Sequence, residues 1–237
     1  MSCFDPSSRG GVYTEAMDLL TAYAPQLAEG LAFTLLLTVS AAGPAFLVGL
    51  AVAALQLAPW RAANRIGRAY TALFRGLPEL LILFFFYYGL AGLVSWAWGQ
   101  PVEFSNFKIA VIALASISGA YSAEAFRGAI QAVPVGQWEA AAALGLRRSY
   151  VWALIILPQA VRLALPSLGN LLLILLKDTA LASAIGAEEL MRKAGIAAGS
   201  TRAPFTFFGT AAAIYLLVTL PVLLMQDRAE RRPERRS

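Results

Sequence analysis

The sequence predicts an all-α membrane protein that crosses the bilayer with five helices and carries one short helix outside it. Of the 237 residues, 59% are hydrophobic and only 14% are charged, and the mean hydropathy is +0.65. These values lie far from the averages of soluble domains. The few charges also leave five uncharged apolar runs, and about 20 apolar residues are enough to span the hydrocarbon core.

Three of these runs are long enough to cross the bilayer against lipid. They are residues 30–60, with Gly43-Pro44 in the middle, residues 80–102 and residues 203–226.

The other two runs, residues 109–123 and 163–176, have only 15 and 14 residues and are too short to cross alone. They can span only if flanking charges enter the membrane zone, which is costly against acyl chains and tolerable against protein or a wet cavity. We therefore expect the third and fourth helices to line a polar pathway. The flanking charges are Glu124, Arg127, Arg162, Lys177 and Asp178.

The distribution of basic residues predicts the orientation, because such residues accumulate on the inner side of membrane proteins. With the N-terminus outside, 13 of the 19 lysines and arginines fall on the inner side. The first 29 residues contain Asp5, Glu15 and Asp18 and lack a basic start before a short apolar core. We therefore expect no cleavable signal peptide, and the first span should remain as an anchor.

This orientation places residues 131–158 inside the cell, where an alanine-rich segment is found. Pro134 and Gly136 are expected to break the preceding helix, residues 137–144 to form a short helix, and Gly145 to end it. Ala141 and Gly145, one turn apart, would present a small-residue face that another backbone can approach closely. Glu139 near the helix start is favoured by the helix dipole. The alternative is a solvated loop with a chance alanine run.

Missing residue types argue against several functional classes. There is no histidine and Cys3 is the single cysteine, so we expect no metal site, no imidazole proton relay and no internal disulfide. None of the three lysines follows a glycine, as the phosphate-binding Gly-x-x-x-x-Gly-Lys-Ser/Thr loop requires. Neither Gly-x-Ser-x-Gly nor His-Glu-x-x-His is present, so we expect no enzyme. The net charge of +5 is better explained by bilayer orientation than by nucleic acid, because the arginines cluster beside apolar spans.

The alanine-rich segment belongs to a longer pattern that resembles the cytoplasmic coupling loop of bacterial ABC-importer permeases. The pattern is Glu139-Ala140-Ala141, then Gly145, then Ile155-Ile156-Leu157-Pro158. Other motifs, over nearly the whole chain, are similar to those of the polar-amino-acid permeases of the histidine/glutamine/arginine/opine group. They are Thr34-Leu35, Arg75-Gly76-Leu77-Pro78-Glu79-Leu80, Gly119-Ala120-Tyr121, Phe126-Arg127-Gly128, Leu165-Pro166, Gly169-Asn170, Lys177-Asp178-Thr179-Ala180-Leu181 and Ile214-Tyr215.

The resemblance implies a type I ABC importer permease in the bacterial inner membrane, with a periplasmic N-terminus and a cytoplasmic C-terminus. Residues 1–29 would form a periplasmic segment, residues 30–226 the permease domain with the coupling loop 131–158, and residues 227–237 a basic cytoplasmic tail. Contacts with the ATPase would be made by Glu139, Ala140, Ala141, Gly145, Leu157 and Pro158.

The resemblance also implies partners and a cargo. The permease would pair with itself or a paralogue, dock a dimer of cytoplasmic ABC ATPases that hold ATP and Mg, and receive cargo from a periplasmic amino-acid-binding protein. The chain itself would bind no cofactor. Leu77-Pro78-Glu79, where many members have Thr-Pro-Leu, is similar to the arginine and histidine/lysine/ornithine branches. The expected cargo is therefore a polar, cationic amino acid or an opine.

Five polar side chains near the ends of the short spans are candidates for contact with the cargo: Tyr121, Glu124, Asn170, Asp178 and Ser183. Structural alternatives exist, because Glu124 can pair with Arg127 one turn on, Asp178 can neutralise Lys177, and Asn170 can bond to backbone. Both interpretations stay open for Asp178, and the structural one is favoured for Glu124.

A rival function is an ion-coupled secondary transporter or a channel subunit, which would work without an ATPase. The coupling-loop pattern and the absence of histidine weigh against it. Nucleotide-dependent uptake into vesicles distinguishes the two.

Overall fold

A computed structural model describes residues 8–100 and 104–230 of the chain. A π-helical segment, Val151–Ile156, leads into the seventh helix, and a 3₁₀ segment, Thr179–Ile185, follows it. No strand occurs within these residues, so the all-α prediction is confirmed. The α-helices are α1 (Ser8–Leu57), α2 (Arg61–Gly76), α3 (Glu79–Trp98), α4 (Asn106–Gln131), α5 (Val135–Ala143), α6 (Arg148–Tyr150), α7 (Leu157–Asp178), α8 (Leu190–Thr201) and α9 (Pro204–Glu230).

Five stretches of the described chain are long and apolar enough to cross a membrane, which confirms the predicted number of crossings. The two short uncharged runs lie inside much longer helices, so the flanking charges are part of α4 and α7 themselves. The five stretches are Met17–Leu57, Glu79–Trp98, Asn106–Gln131, Arg148–Ile185 and Pro204–Leu224.

Helix α1 is longer than the sequence indicated. It continues through Gly43-Pro44, and Pro25 also lies inside it. A transmembrane helix tolerates proline because neighbouring helices and local adjustments satisfy the freed backbone groups. The expected boundary between residues 29 and 30 falls within α1, so residues 8–29 extend the first crossing as helix. Of the expected tail, residues 227–230 continue α9, and residues 231–237, like residues 1–7, lie outside the described residues.

Helix α2 is an element that the sequence analysis did not predict, since its arginines indicated only an inner-side connection. Its buried face, with Gly67 and Thr71, packs on the end of α1. Gln56 of α1 donates a hydrogen bond to Thr71 Oγ1 at 3.1 Å. The Tyr70 hydroxyl donates to the backbone carbonyl of Ser116 in α4 at 2.8 Å. These bonds fix α2 against both neighbouring crossings.

The core is built on α1 and α4, which run parallel. Phe33 packs edge-on against Phe107 with ring centroids 5.4 Å apart, and further along the same two helices Gly49 lies against Ser122. Residue numbers therefore advance in the same direction on both helices. Because parallel neighbours cross the membrane in the same direction, α2 and α3 together carry the chain back across it.

Helix α8 covers the N-terminal end of the α1–α4 pair. Thr34 Oγ1 in α1 accepts the backbone N–H of Leu190 at 3.1 Å. Glu189, which is fully buried, caps α8 by accepting the backbone N–H of Arg192 at 2.7 Å and also accepts the Tyr215 hydroxyl at 3.2 Å. Burial raises the pKa of Glu189 above its ordinary value, although the backbone donors act in the opposite direction.

Helix α5 follows the C-terminal end of α4, so α5 and α8 lie at opposite ends of the molecule.

Gly49→Ala is expected to loosen the contact between α1 and α4. A Cβ at Gly49 would lie 2.5 Å from Ser122 Cβ and 3.1 Å from the backbone nitrogen of Ala123, so the helices would have to separate. Overpacking of this kind costs about 1–3 kcal/mol. We expect the purified protein to unfold at a lower temperature in detergent, as followed by tryptophan fluorescence. The matched control is Gly43→Ala, where nothing lies within 4 Å of the added Cβ. An equal loss in both variants would contradict this packing.

Candidate functional site: a short external helix and a polar cluster

The short helix predicted between the third and fourth crossings is present as α5. It spans Val135–Ala143 instead of residues 137–144. Pro134, the N-cap, has a non-helical backbone conformation. Gly136 lies within the first turn of α5, so the expectation that Gly136 helps to end the preceding helix is wrong. Proline alone separates the helices, because it lacks an N–H and its neighbour avoids the helical region. Gly145 ends the segment with a φ of +65°, a left-handed conformation that glycine adopts without strain.

One face of α5 packs on the chain itself. Ala141 is only 1% exposed. Trp138 packs edge-on against Trp152, with ring centroids 5.1 Å apart. The close approach that was expected from another chain at Ala141 is therefore made by this chain's own residues at the start of the fourth crossing. The residues that surround it are Val133, Val151, Ile156 and Ala160.

The opposite face of α5 is free. Glu139, Ala140 and Gly145 are exposed, and nothing lies within 4 Å of a Cβ placed on Gly145. Leu157 is 45% exposed and Pro158 is exposed at the start of α7. The predicted coupling residues therefore divide into a surface set and the internal contact of Ala141.

The π-helical segment Val151–Ile156 supplies most of α5's packing partners and leads directly into α7. Pro158, one turn along, has no N–H to donate to the carbonyl four residues before it. A helix that loses this bond can widen locally, and π-helical turns are frequent at functional sites. The segment therefore connects the contact surface of α5 to α7 through a locally widened helix.

Glu124 forms the centre of a polar cluster between α1, α2 and α4. Its carboxylate accepts Gln56 Nε2 at 3.0 Å and Arg127 Nη2 at 2.5 Å, and Arg75 Nη1 lies 3.9 Å away. The predicted pairing of Glu124 with Arg127 is thus present. Gln56, Glu124 and Arg127 line a polar cavity of about 390 Å³ together with Arg68 and Gln131.

A second group of polar side chains surrounds Tyr121. The Arg75 guanidinium carbon lies 5.4 Å from the centroid of the Tyr121 ring. Glu79, the first residue of α3, and Asp178, the last of α7, are both within electrostatic range of Tyr121 and of each other. Two partly buried carboxylates repel one another unless a cation or a proton lies between them. This arrangement is therefore suited to a positively charged group.

The structure does not bring all five predicted pathway residues together. Tyr121, Glu124 and Asp178 lie in the two neighbouring polar groups. The side chain of Asn170 is exposed on α7. Ser183 lies in the 3₁₀ segment and lines a separate cavity of about 410 Å³ with Met191 and Arg192 of α8.

Sequence reasoning did not identify Gln56 and Glu79 as site residues. The sequence does mark Glu79, because it is the one acidic residue in the motif that precedes the second span. It marks Gln56 less clearly, as the lone side-chain amide near the end of the first uncharged run. Neither residue could be placed against α4 or α7 without knowing how α2 folds back.

Long apolar helices, charged side chains held within them and a small exposed helix at one end define a multi-pass membrane protein with a route for polar solutes. The chain belongs to the family described as binding-protein-dependent transport system inner membrane component, whose model matches residues 45–235. It is the membrane-spanning permease of an ABC amino acid importer, and this family component is not itself an ATPase. The match supports this function over the ion-coupled alternative.

Several known permeases are similar in sequence to this chain over most of its length. The arginine ABC transporter permease protein ArtQ of Haemophilus influenzae is 49% identical over 162 residues, covering 67% of this chain and 73% of that protein. ArtQ of Escherichia coli strain K12 is 40% identical over 225 residues, covering 83% of this chain and 94% of its own length. The octopine transport system permease protein OccQ of Rhizobium radiobacter is 40% identical over 192 residues, covering 77% and 81%.

Solved structures support the fold. A chain from the crystal structure of an amino acid ABC transporter with histidines superposes with a TM-score of 0.81 at 35% identity, covering 90% of this chain and 96% of that one. The MetNI methionine ABC transporter, in inward-facing conformations, gives a TM-score of 0.69 at 22% identity, covering 87% and 95%. The second likeness concerns the fold alone.

Proposed function

We propose that this permease imports a cationic amino acid or an opine and is driven by a separate ATPase that docks on α5. The observation that carries the proposal is the division of α5 into a free face and a face packed on the π-helical segment that leads into α7. A docking partner needs an exposed surface, and the transmission of its movement needs a firm contact with a crossing helix. Helix α5 has both.

The free face suits a protein partner because most of its side chains are small and one of them is charged. Ala140 and Gly145 allow a close approach of another backbone, and Glu139 supplies a fixed charge for a basic side chain. Leu157 and Pro158 extend this surface to the start of α7. A push on α5 would reach α7 through Ala141, and α4 through the short turn at Pro134.

We propose that α5 faces the cytoplasm, with the N-terminus in the periplasm and the C-terminus in the cytoplasm. This orientation places most of the arginines on the inner side. In it, ATP and Mg bind to a dimer of ABC ATPases beneath α5, a periplasmic amino-acid-binding protein delivers cargo at the α8 end, and this chain binds no cofactor.

A second permease subunit, either a copy or a paralogue, completes the pathway. Five helices are few to enclose a polar route. The side chain of Arg75 is 44% exposed within a cluster that lies between membrane crossings, and charges are costly against lipid. A partner permease on this side would shield them.

The proposed cargo follows from the chemistry of the Tyr121 group and from two relatives, which are named as an arginine permease and an octopine permease. Glu79 and Asp178 offer two carboxylates to a guanidinium or ammonium group, and the Tyr121 ring offers a π face. Asp178 also interacts with Lys177, in keeping with the structural alternative. Glu124 has its own partners, so we assign it to holding α1, α2 and α4 together. Asn170 and Ser183 stay predictions as pathway residues.

Gly145→Asp is expected to uncouple ATP hydrolysis from uptake while membrane insertion stays normal. A charged side chain at this exposed position obstructs close approach of the ATPase, and a positive φ disfavours any Cβ by about 1–2 kcal/mol. The measurement is cargo taken up per ATP hydrolysed in proteoliposomes that contain the complete transporter. Gly99→Asp at the end of α3 is the control, since it adds the same charge at an open, exposed glycine that also has a positive φ and lies far from α5. Unchanged uptake by the Gly145 variant would count against docking at α5.

Asp178→Asn is expected to lower arginine uptake by about tenfold or more, because a charge-assisted hydrogen bond contributes about 1.5–3 kcal/mol. Initial rates of radiolabelled arginine uptake in proteoliposomes, with saturating binding protein, provide the measurement. Glu188→Gln serves as the matched control, because this exposed carboxylate pairs with Lys193 outside the crossings. If the Asp178 variant transports arginine at the parent rate, the carboxylate has no role in cargo binding.

A further inference from the structure

A groove lined by arginines lies where α1 ends and α2 begins. It has a volume of about 300 Å³ and is open on one side. Arg61, Arg65 and Arg68 fall four and three residues apart on one helix, so they share a face of α2. The complete lining is Ala58, Pro59, Arg61, Asn64, Arg65 and Arg68.

The three arginines lack acidic partners among the side chains that the structure describes. The ion pairs found there join Arg75 and Arg127 to Glu124, and Lys193 to acidic residues at the other end of the molecule. Three neighbouring guanidinium groups repel one another, and that repulsion is relieved when an anion binds between them. The groove therefore has the charge and the size that suit an anion.

The backbone that carries these arginines is held in place before any ligand arrives. The Asn64 side-chain amide donates to the backbone carbonyl of Gln56. Gly67 lies so close to Gln56 that an added Cβ would be 2.9 Å from Gln56 Cγ. Thr71 and Tyr70 anchor the rest of α2 to α1 and α4. A fixed helix loses less entropy on binding than a mobile one.

The groove lies at the membrane boundary on the α5 side. Arg68 shares a polar cavity with Gln131, the last residue of α4, which fixes its level near the end of that crossing. Trp60 is 75% exposed and Ile66 is 62% exposed beside the arginines. Tryptophan favours the headgroup level, and an apolar side chain next to it can contact the upper part of an acyl chain.

We propose that Arg61, Arg65 and Arg68 bind the phosphate of an anionic phospholipid in the leaflet at the α5 end. Basic residues beside a crossing attract anionic lipids, and the planar guanidinium group matches two phosphate oxygens at once. The adjacent apolar side chains favour a lipid over a free phosphate ion. This assignment does not depend on the cargo or on the docking of an ATPase.

Native mass spectrometry of the purified full-length chain tests the proposal. Apparent dissociation constants are measured for phosphatidylglycerol and phosphatidylcholine with identical acyl chains. We expect the parent protein to prefer phosphatidylglycerol, and R61Q/R65Q to weaken its binding by about tenfold or more. R61K/R65K, which keeps the charge, should retain most of the preference. The matched control is R147Q/R148Q, which removes two exposed arginines near α5 and should leave the preference within about twofold.

Several outcomes would overturn the assignment. Equal affinity of the parent protein for the two lipids would do so, as would a loss of phosphatidylglycerol binding in R147Q/R148Q as large as that in R61Q/R65Q. Full displacement of phosphatidylglycerol by excess inorganic phosphate would identify a free-anion site instead. Release of a co-purifying ATPase by R61Q/R65Q, with lipid binding unchanged, would identify a protein interface. Unfolding temperatures in phosphatidylcholine establish that each variant is folded before its affinity is compared.

Discussion

The burial of Ala141 against the π-helical segment and Ala160 at the base of α7 is the contact on which the proposed coupling of an ATPase to transport depends. An external helix that hung from the membrane domain by flexible turns would absorb the movement of a partner. Here Trp138 stacks edge-on against Trp152, and the small side chain of Ala141 lets α5 sit directly on the π-helical segment and α7. Close packing transmits displacement because packed interiors are nearly incompressible. In the proposed mechanism, the free face of α5 is the point of contact with the ATPase, and its packed face is the link to a crossing.

Two groups of polar residues within the membrane domain have different chemistry. Around Glu124, each carboxylate oxygen has donors from Gln56 or Arg127, so the charges are satisfied within the chain. Around Tyr121, the carboxylates of Glu79 and Asp178 lie within electrostatic range of each other, and no hydrogen bond from the described side chains is found for Asp178. Polar groups in a membrane persist where protein or ligand satisfies them. The first group therefore holds helices together, and the second is the better candidate for cargo.

Much of the fold could be predicted from the sequence because a bilayer imposes simple rules on composition. Uncharged runs marked all five crossings, and the shortness of residues 109–123 and 163–176 correctly indicated that their flanking charges belong to the helices. The short external helix was also predictable, since Pro134 and Gly145 bound an alanine-rich stretch with strong helix propensity. These features depend on local sequence alone.

Features that depend on distant contacts could not be predicted in this way. The arginines of α2 resemble an inner connection, and only its burial against Gln56 and Ser116 makes it a packed helix. Ala141 looked like a surface residue for another chain, because nothing local reveals that Trp152 and Ile156 return beneath it. Glu79 gained its place beside Asp178 through the path of α2 and α3. Each of these outcomes needs the three-dimensional arrangement of segments far apart in the chain.

The most direct test of the link between α5 and α7 is a distance measurement by double electron–electron resonance in the assembled transporter, with and without a non-hydrolysable ATP analogue. In a Cys3→Ser background, one pair of spin labels replaces the exposed residues Gln137 and Leu163, and a second pair replaces Gln137 and the exposed Leu216 of α9. If α5 and α7 move as one body, the distance from 137 to 163 stays constant while that from 137 to 216 changes on nucleotide binding. A change between 137 and 163 as large as that between 137 and 216 would contradict the rigid link.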